Sequence, residues 1–265
     1  GFPVHGEGKG GGTVRGGQAV PPQSLKAKPM SIHEIIDRCA ELYHDLDLSY
    51  VKQWKERNNG APAIGYLPIY IPREIIHAAG LLPVGIMGGG DLVEIIKGDA
   101  YYQSYICHIP RSVIELGLSG RLDCLDGFLF PSICDVIRNL SGMWQIMFPD
   151  KYVKYFDFPQ NFNPQVGGKF YRNELHSFKE DLERMSGKKI TDDALHASIL
   201  LYNENRRLVN ALYDLRAEKP WLVPTYEAYL LDRAGNIMSV EDHNDLLPAY
   251  LKGAEGFDRK PLDNV

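Results

Sequence analysis

The chain has 265 residues, 44% of them hydrophobic, enough apolar material for one large domain or two small ones with their own cores. Its 29 Lys and Arg against 34 Asp and Glu give a formal net charge of -5, with the signs mixed and no basic block, so no nucleic-acid partner is expected. The longest apolar run, Ile75 to Met87, is broken by His77, Gly80, Pro83 and Gly85; it falls short of the roughly 20 residues a spanning helix needs, so no membrane partner is expected.

The first 30 residues are rich in glycine from Gly8 to Gly17 and carry Pro21 and Pro22. Such a segment buries too little apolar surface to offset its ordering entropy, which predicts a disordered tail. No secretory signal is visible in it. Ordered structure is expected from Ser31, which with Glu34 has capping-box spacing. Ile32, Ile35, Ile36, Cys39, Leu42 and Tyr43 then recur on one helical face. Asn58-Asn59-Gly60 closes this helical region after Trp54.

Strands alternating with helices follow. Residues 63–70 read as a strand, 73–79 as a short helix stopped by Gly80, and 81–87 as a second strand. Gly88-Gly89-Gly90 is a loop. Residues 110–118 form a helix, 125–130 a buried strand and 136–147 another helix. The aromatic-rich stretch 151–166 holds a candidate strand at 152–156, and residues 170–185 are helical. Thr191 caps a long helix reaching about Arg216, with Leu195, Ile199, Tyr202, Leu208 and Leu212 toward the core. Residues 221–250 are helical or irregular.

The pattern predicts an α/β fold, Rossmann-like or flavodoxin-like, with a parallel sheet, flanking helices and a long helical segment. Its organisation is expected as a tail over 1–30, an α/β domain over 31–150 carrying Cys107 and Cys134, an aromatic-rich and helical region over 151–255, and a linker over 256–265. No internal repeat is found.

The four cysteines, Cys39, Cys107, Cys124 and Cys134, are too few for a disulfide scaffold in a chain this long. They suit a reducing cytoplasm, where thiols pack in a core or bind metal. Cys134 lies between the strand at 125–130 and the next helix. That is where open α/β sheets bind ligands, and a helix N-terminus there favours thiolate. Packing as a small buried hydrophobe remains the alternative. Cys107 precedes a helix whose Pro110 suits the first turn, so two cysteines could converge at one sheet edge. Their spacing is no short-range metal signature. Cys39 and Cys124 read as packing residues. His108, beside Cys107, is the better candidate for acid chemistry, and His77 reads as a hydrogen-bonded structural residue. Arg73, Arg111 and Arg138 could meet phosphates, against a default of surface ion pairs. Gly88-Gly89-Gly90 lacks the spacing of a nucleotide loop.

Together these motifs carry a resemblance. Gly65 to Val84, reading GYLPIYIPREIIHAAGLLPV, resembles the opening block of the 2-hydroxyacyl-CoA dehydratase superfamily. Cys107 to Gly120 resembles its first cluster-cysteine motif, and Asp126 to Asp135, ending in Cys-Asp, its second. Residues 190–216 resemble its long helix. The wording YLPIYIPR and the aromatic segment 151–163 look most like the benzoyl-CoA reductase branch, whereas some dehydratases have a cysteine where this chain has Pro68.

The resemblance implies a subunit holding a [4Fe-4S] cluster through Cys107 and Cys134 near an acyl-CoA. It also implies a homologous partner subunit, an ATP-hydrolysing iron–sulfur activator, and a low-potential electron donor such as ferredoxin. The implied reaction is reductive dearomatisation of benzoyl-CoA, with His108 as candidate acid. The family places a third cluster cysteine in a C-terminal α/β domain and no cysteine follows Cys134, so the resemblance implies either a further α/β domain beyond Val265 or an incomplete cluster site. A 2-hydroxyacyl-CoA dehydratase subunit is the alternative, separated by net electron consumption. A non-catalytic relay or scaffold subunit, and an α/β binder without metal, are the other readings. Reconstitution with the partner and iron analysis distinguish them.

Overall fold

The computed structural model describes residues 30–261. The expected tail up to residue 29 and the last residues of the expected linker lie outside that span.

Helix α1 (Ile32–His44) opens on the capping box its sequence predicts: the Glu34 N–H donates to Ser31 Oγ, and the Ser31 N–H donates back to the Glu34 carboxylate at 2.7 Å. It buries Ile32, Ile35, Cys39 and Leu42. A second helix, α2 (Ser49–Arg57), follows where one continuous helical region is expected. The break is a side-chain effect. The Asp45 carboxylate accepts from the N–H groups of Asp47 and Ser49, at 3.1 and 2.6 Å, and Leu48 adopts a left-handed φ of 53°. A short acid that bonds the backbone ahead of it competes with the helix ladder, and apolar periodicity does not register this.

Four parallel strands form one sheet in the order β2-β1-β3-β4: β1 (Ala63–Tyr66), β2 (Leu82–Gly85), β3 (Gly127–Pro131) and β4 (Tyr152–Phe156). Helix α3 (Arg73–Ala78) joins β1 to β2, α4 (His108–Leu118) precedes β3, and α5 (Asp135–Met147) joins β3 to β4. The two central strands are buried on both faces, and their side chains alternate between two cores. Ala63, Leu67, Phe128 and Phe130 face α1, α2, α4 and α5, with Trp144 filling the middle. Ile64, Tyr66 and Leu129 face the other way, onto Ile75 and Ile76 of α3 and onto Phe178 and Leu182 of α6 (Lys169–Ser186). Near-continuous apolar wording is what such strands require. Gly65 is needed because a Cβ there would lie 2.5 Å from Ile86 Cδ1 and 2.9 Å from Leu125 Cδ1.

The long α7 (Asp192–Glu218) begins on its Thr191 cap, whose Oγ1 accepts from the Ala194 N–H at 3.1 Å. Its buried face is Ser198, Tyr202, Asn205, Leu208 and Leu212, and Ile199, expected inside, is 39% exposed. Two polar residues occupy the buried stripe because they are hydrogen-bonded there, which an apolar periodicity cannot anticipate. The helices α8 (Thr225–Ala234) and α9 (Val240–Glu255) complete the wall over α1 and α7. The turn between them also covers the free edge of β2: the Gly85 N–H donates to the Asn236 carbonyl at 2.6 Å. After α9, Phe257 packs edge-on against His33, and Arg259 pairs with Glu227.

Candidate functional site

The strand order puts a topological switch point between β1 and β3, where the chain leaves one central strand toward β2 and the other toward β4. In open α/β sheets ligands bind at the carboxyl ends of such strands. Two of the four cysteines lie at that edge. Cys134 is the N-cap of α5, directly after β3. Cys107 is the N-cap of α4; because α4 runs back toward the start of β3, its N-terminus also lies at the carboxyl edge. Both cysteines are exposed and free, and neither side chain caps its helix. Each thiol therefore combines solvent access with a place at a helix N-terminus.

Tyr102 ties the two together. Its hydroxyl donates to the Val136 carbonyl, in the first turn of α5, at 2.9 Å. Its phenol is pushed up to about 12, first by burial and then by the nearby Cys134 and Cys107. The hydrogen bond from Tyr102 fastens the segment before Cys107 to the first turn of α5, just after Cys134. No sequence signal points to this residue, because Tyr102 belongs to no motif.

The excursion from β2 to Cys107 is held by a buried acid. Glu115, on the inward side of α4, accepts from the N–H groups of Ile96, Lys97 and Gly98 at 2.9, 2.6 and 2.9 Å. Gly88 belongs to the same fastening: a Cβ there would lie 2.1 Å from Ser112 Oγ on α4. Gly88 is thus accounted for by packing against α4 and Gly89 by packing against Val93, while Ser112 Oγ accepts the Gly89 N–H.

The opposite side of the edge is aromatic. After β1 the chain turns through Ile69 and Tyr70, both with positive φ, 82° and 64°. The Tyr70 ring stacks on Phe158, centroids 4.5 Å apart and planes 14° from parallel. The Phe158 N–H donates to Ser132 Oγ at 2.7 Å, two residues before Cys134. The turn after β1, the aromatic segment after β4 and the cysteine loop after β3 are therefore fastened together.

His108 is the first residue of α4, exposed beside Cys107. His77 is elsewhere, its ring nitrogens bonded to Ser198 Oγ at 3.0 Å and Glu241 Oε1 at 2.8 Å. The order Ser198, His77, Glu241 resembles a hydrolytic triad, but Ser198 is only 1% exposed and donates to the Glu74 carbonyl. It links α3, α7 and α9 and reaches no substrate. Arg111 and Arg138 pair with Asp99 and Asp135, and Arg73 lies over the Tyr202 ring, 5.1 Å from its centroid. Cys39 is fully buried, which pushes its thiol up to about 12 despite the nearby charge of Arg38. Burial also raises Cys124. Neither competes as a ligand.

The donors at the edge suit iron, which takes thiolate. Among the described residues no three His, Cys, Asp or Glu side chains gather as a metal site. Cys107 and Cys134 are two exposed thiols, where a cubane cluster takes four ligands.

Fold and site together define an α/β protein of flavodoxin-like strand order with two exposed thiols at its carboxyl edge. The family model 2-hydroxyglutaryl-CoA dehydratase, D-component, matches residues 68–263, and the chain belongs to that family, as its motifs led one to expect. It is 60% identical over 235 residues, 89% of its length, to one of the subunits of the benzoyl-CoA reductase of Thauera aromatica, covering 61% of that protein. It is 28% identical over 81% of its length to the (R)-phenyllactyl-CoA dehydratase beta subunit of Clostridium sporogenes, and 32% identical over 73% to the (R)-2-hydroxyglutaryl-CoA dehydratase beta subunit of Acidaminococcus fermentans. It covers 56% and 51% of those two, so the chain spans between half and two thirds of these relatives. Among the described residues no helix is long and apolar enough to cross a membrane.

Proposed function

We propose that this chain is part of a subunit of an ATP-dependent benzoyl-CoA reductase, acting in the cytoplasm in anaerobic aromatic degradation. The observation that carries the reading is that two exposed thiols, Cys107 and Cys134, stand at the N-cap positions of α4 and α5 on the sheet's carboxyl edge. The 60% identity to a benzoyl-CoA reductase subunit supports the substrate, against 28–32% for the dehydratase subunits.

In this reading Cys107 and Cys134 hold one side of a [4Fe-4S] cluster, and the remaining ligands come from outside the described residues. A cluster held there would supply single electrons, and iron–sulfur potentials extend to about -700 mV. The chain's own part is to hold the site. Cys107 and Cys134 stand at the N-termini of α4 and α5, whose partial positive charge suits an anionic group. Glu115 fixes the approach to Cys107 through three backbone N–H groups. Tyr70 and Phe158 give that edge an aromatic side, fastened to the cysteine loop through Ser132. His108, exposed next to Cys107, is placed to deliver a proton to the ring. The product is a cyclohexadienoyl-CoA. Partners are a homologous subunit with its own cluster, an ATP-hydrolysing iron–sulfur activator, and a donor such as ferredoxin.

The test is an anaerobic assay of the full-length subunit with its partner, the activator, ATP and benzoyl-CoA. Ring reduction consuming electrons stoichiometrically with product is expected, and the isolated 265-residue chain should neither reduce benzoyl-CoA nor hydrolyse ATP. Water elimination from a 2-hydroxyacyl-CoA, with no reduction of benzoyl-CoA by the cluster-loaded complex, would move the assignment to the dehydratases.

A further inference from the structure

The Ile69–Tyr70 turn is costly and nothing in the fold requires it. A β-branched residue at positive φ is a genuine outlier, and strain of this kind persists only where something else over-determines it. Ile69, at φ 82°, is 57% exposed. Its side chain recovers little burial in return for the backbone strain. Tyr70, at φ 64°, is 44% exposed even though its ring is stacked on Phe158. Two consecutive left-handed residues without glycine, both leaving apolar surface in solvent, do not stabilise the domain. They present side chains.

What they present is specific in shape and place. Phe158 packs edge-on against Tyr171, centroids 5.1 Å apart, and Tyr171 against the buried Phe156, so the Tyr70–Phe158 pair stands on an aromatic stack rooted in the core. The pair is also tied to the cysteine loop through the Phe158 N–H to Ser132 Oγ bond. It joins the segments that follow β1 and β4 at the carboxyl edge of the sheet, the edge where open α/β sheets bind ligands. A near-parallel pair of rings offers a flat face, and flat faces favour a planar ring over a puckered one.

We infer that the Tyr70–Phe158 pair, presented by the strained Ile69–Tyr70 turn, is the wall that receives the acyl ring of an aromatic acyl-CoA and sets selectivity for planar over saturated rings. This rests on the function proposed above and adds the residues that read the acyl group. Tyr70 and Phe158 contact the ring face. Ile69 positions the turn.

The test measures equilibrium binding of benzoyl-CoA and of cyclohexanecarbonyl-CoA to the full-length, cluster-loaded two-subunit complex, without electron donor. The wild-type complex should prefer benzoyl-CoA. Tyr70→Leu and Phe158→Leu should each weaken benzoyl-CoA binding about three- to tenfold, the size of an aromatic pair, with cyclohexanecarbonyl-CoA binding within about twofold of wild type. Tyr70→Phe, which keeps the ring, should retain the preference. Ile69→Gly removes the strain and should leave the melting temperature equal or higher while lowering the preference. A merely structural turn would not give both effects. Wild-type preference preserved in both leucine variants overturns the inference and leaves the proposed function standing. Loss of subunit association in those variants, read by native mass spectrometry, overturns it in favour of a protein-docking face. A wild-type complex that binds neither thioester overturns both.

Discussion

At the scale of single residues, four cysteines of one type separate by environment. Cys39, fully buried with its thiol pushed up to about 12, stays a neutral packing group. Cys39→Ser places a hydroxyl among Ile35 and Leu42 and should cost about 1–3 kcal/mol in urea unfolding while leaving any bound iron unchanged. His243 gives a residue-scale pH effect. It is 2% exposed, and burial foremost, with the charge of Arg73, depresses it to about 4 from 6.5, against a hydrogen bond to the Leu231 carbonyl. In the unfolded chain this imidazole takes a proton below about pH 6.5, and in the folded chain only near pH 4. Its contribution is therefore complete above pH 6.5 and is lost as pH falls from 6.5 toward 4, by roughly 3 kcal/mol in all. Urea midpoints should drop between pH 7 and pH 5, and His243→Gln should flatten that slope. An unchanged slope would mean that another group carries the pH dependence.

At the scale of elements, the structure turns on fastenings that one side chain makes. The Glu115 carboxylate satisfies three backbone N–H groups in the segment leading to Cys107. Glu115→Ala leaves those donors unpaired and should cost about 2–4 kcal/mol. It should also speed amide exchange at Ile96, Lys97 and Gly98 while leaving exchange in α6 as it was. Glu115→Gln, which keeps one acceptor, should fall between. Elements of this kind mark what was legible in the sequence. The capping box at Ser31, the Thr191 cap, the strand at 152–156 and the switch from helical to strand periodicity could be read because local chemistry decides them. The break at Asp45, the buried Ser198 and Asn205, and the left-handed turn at Ile69 could not, because each depends on hydrogen bonds or strain that periodicity does not register. The site divides in the same way. Cys107 and Cys134 were visible as residues before helices, whereas Tyr102, Glu115 and Ser132 hold that edge together through contacts that form only once distant segments meet.

At the scale of the whole molecule, one sheet separates two cores and brings the ends of three connections to one edge. The cores are unequal: Trp144 anchors the larger, and Phe178 and Phe156 the smaller. Phe178→Ala should cost about 3–5 kcal/mol, a cavity effect expected to loosen α6 and the aromatic segment before the cysteine edge. The central claim is that this edge is an iron–sulfur centre whose ligands here are Cys107 and Cys134. Iron and acid-labile sulfide, measured on anaerobically purified full-length subunit, test it most directly. The expected result is near-complete loss of iron in Cys134→Ser and in Cys107→Ser, with broad absorption near about 400 nm lost alongside, and wild-type content in Cys39→Ser and Cys124→Ser. Wild-type iron in both the Cys107 and the Cys134 variants would contradict the claim.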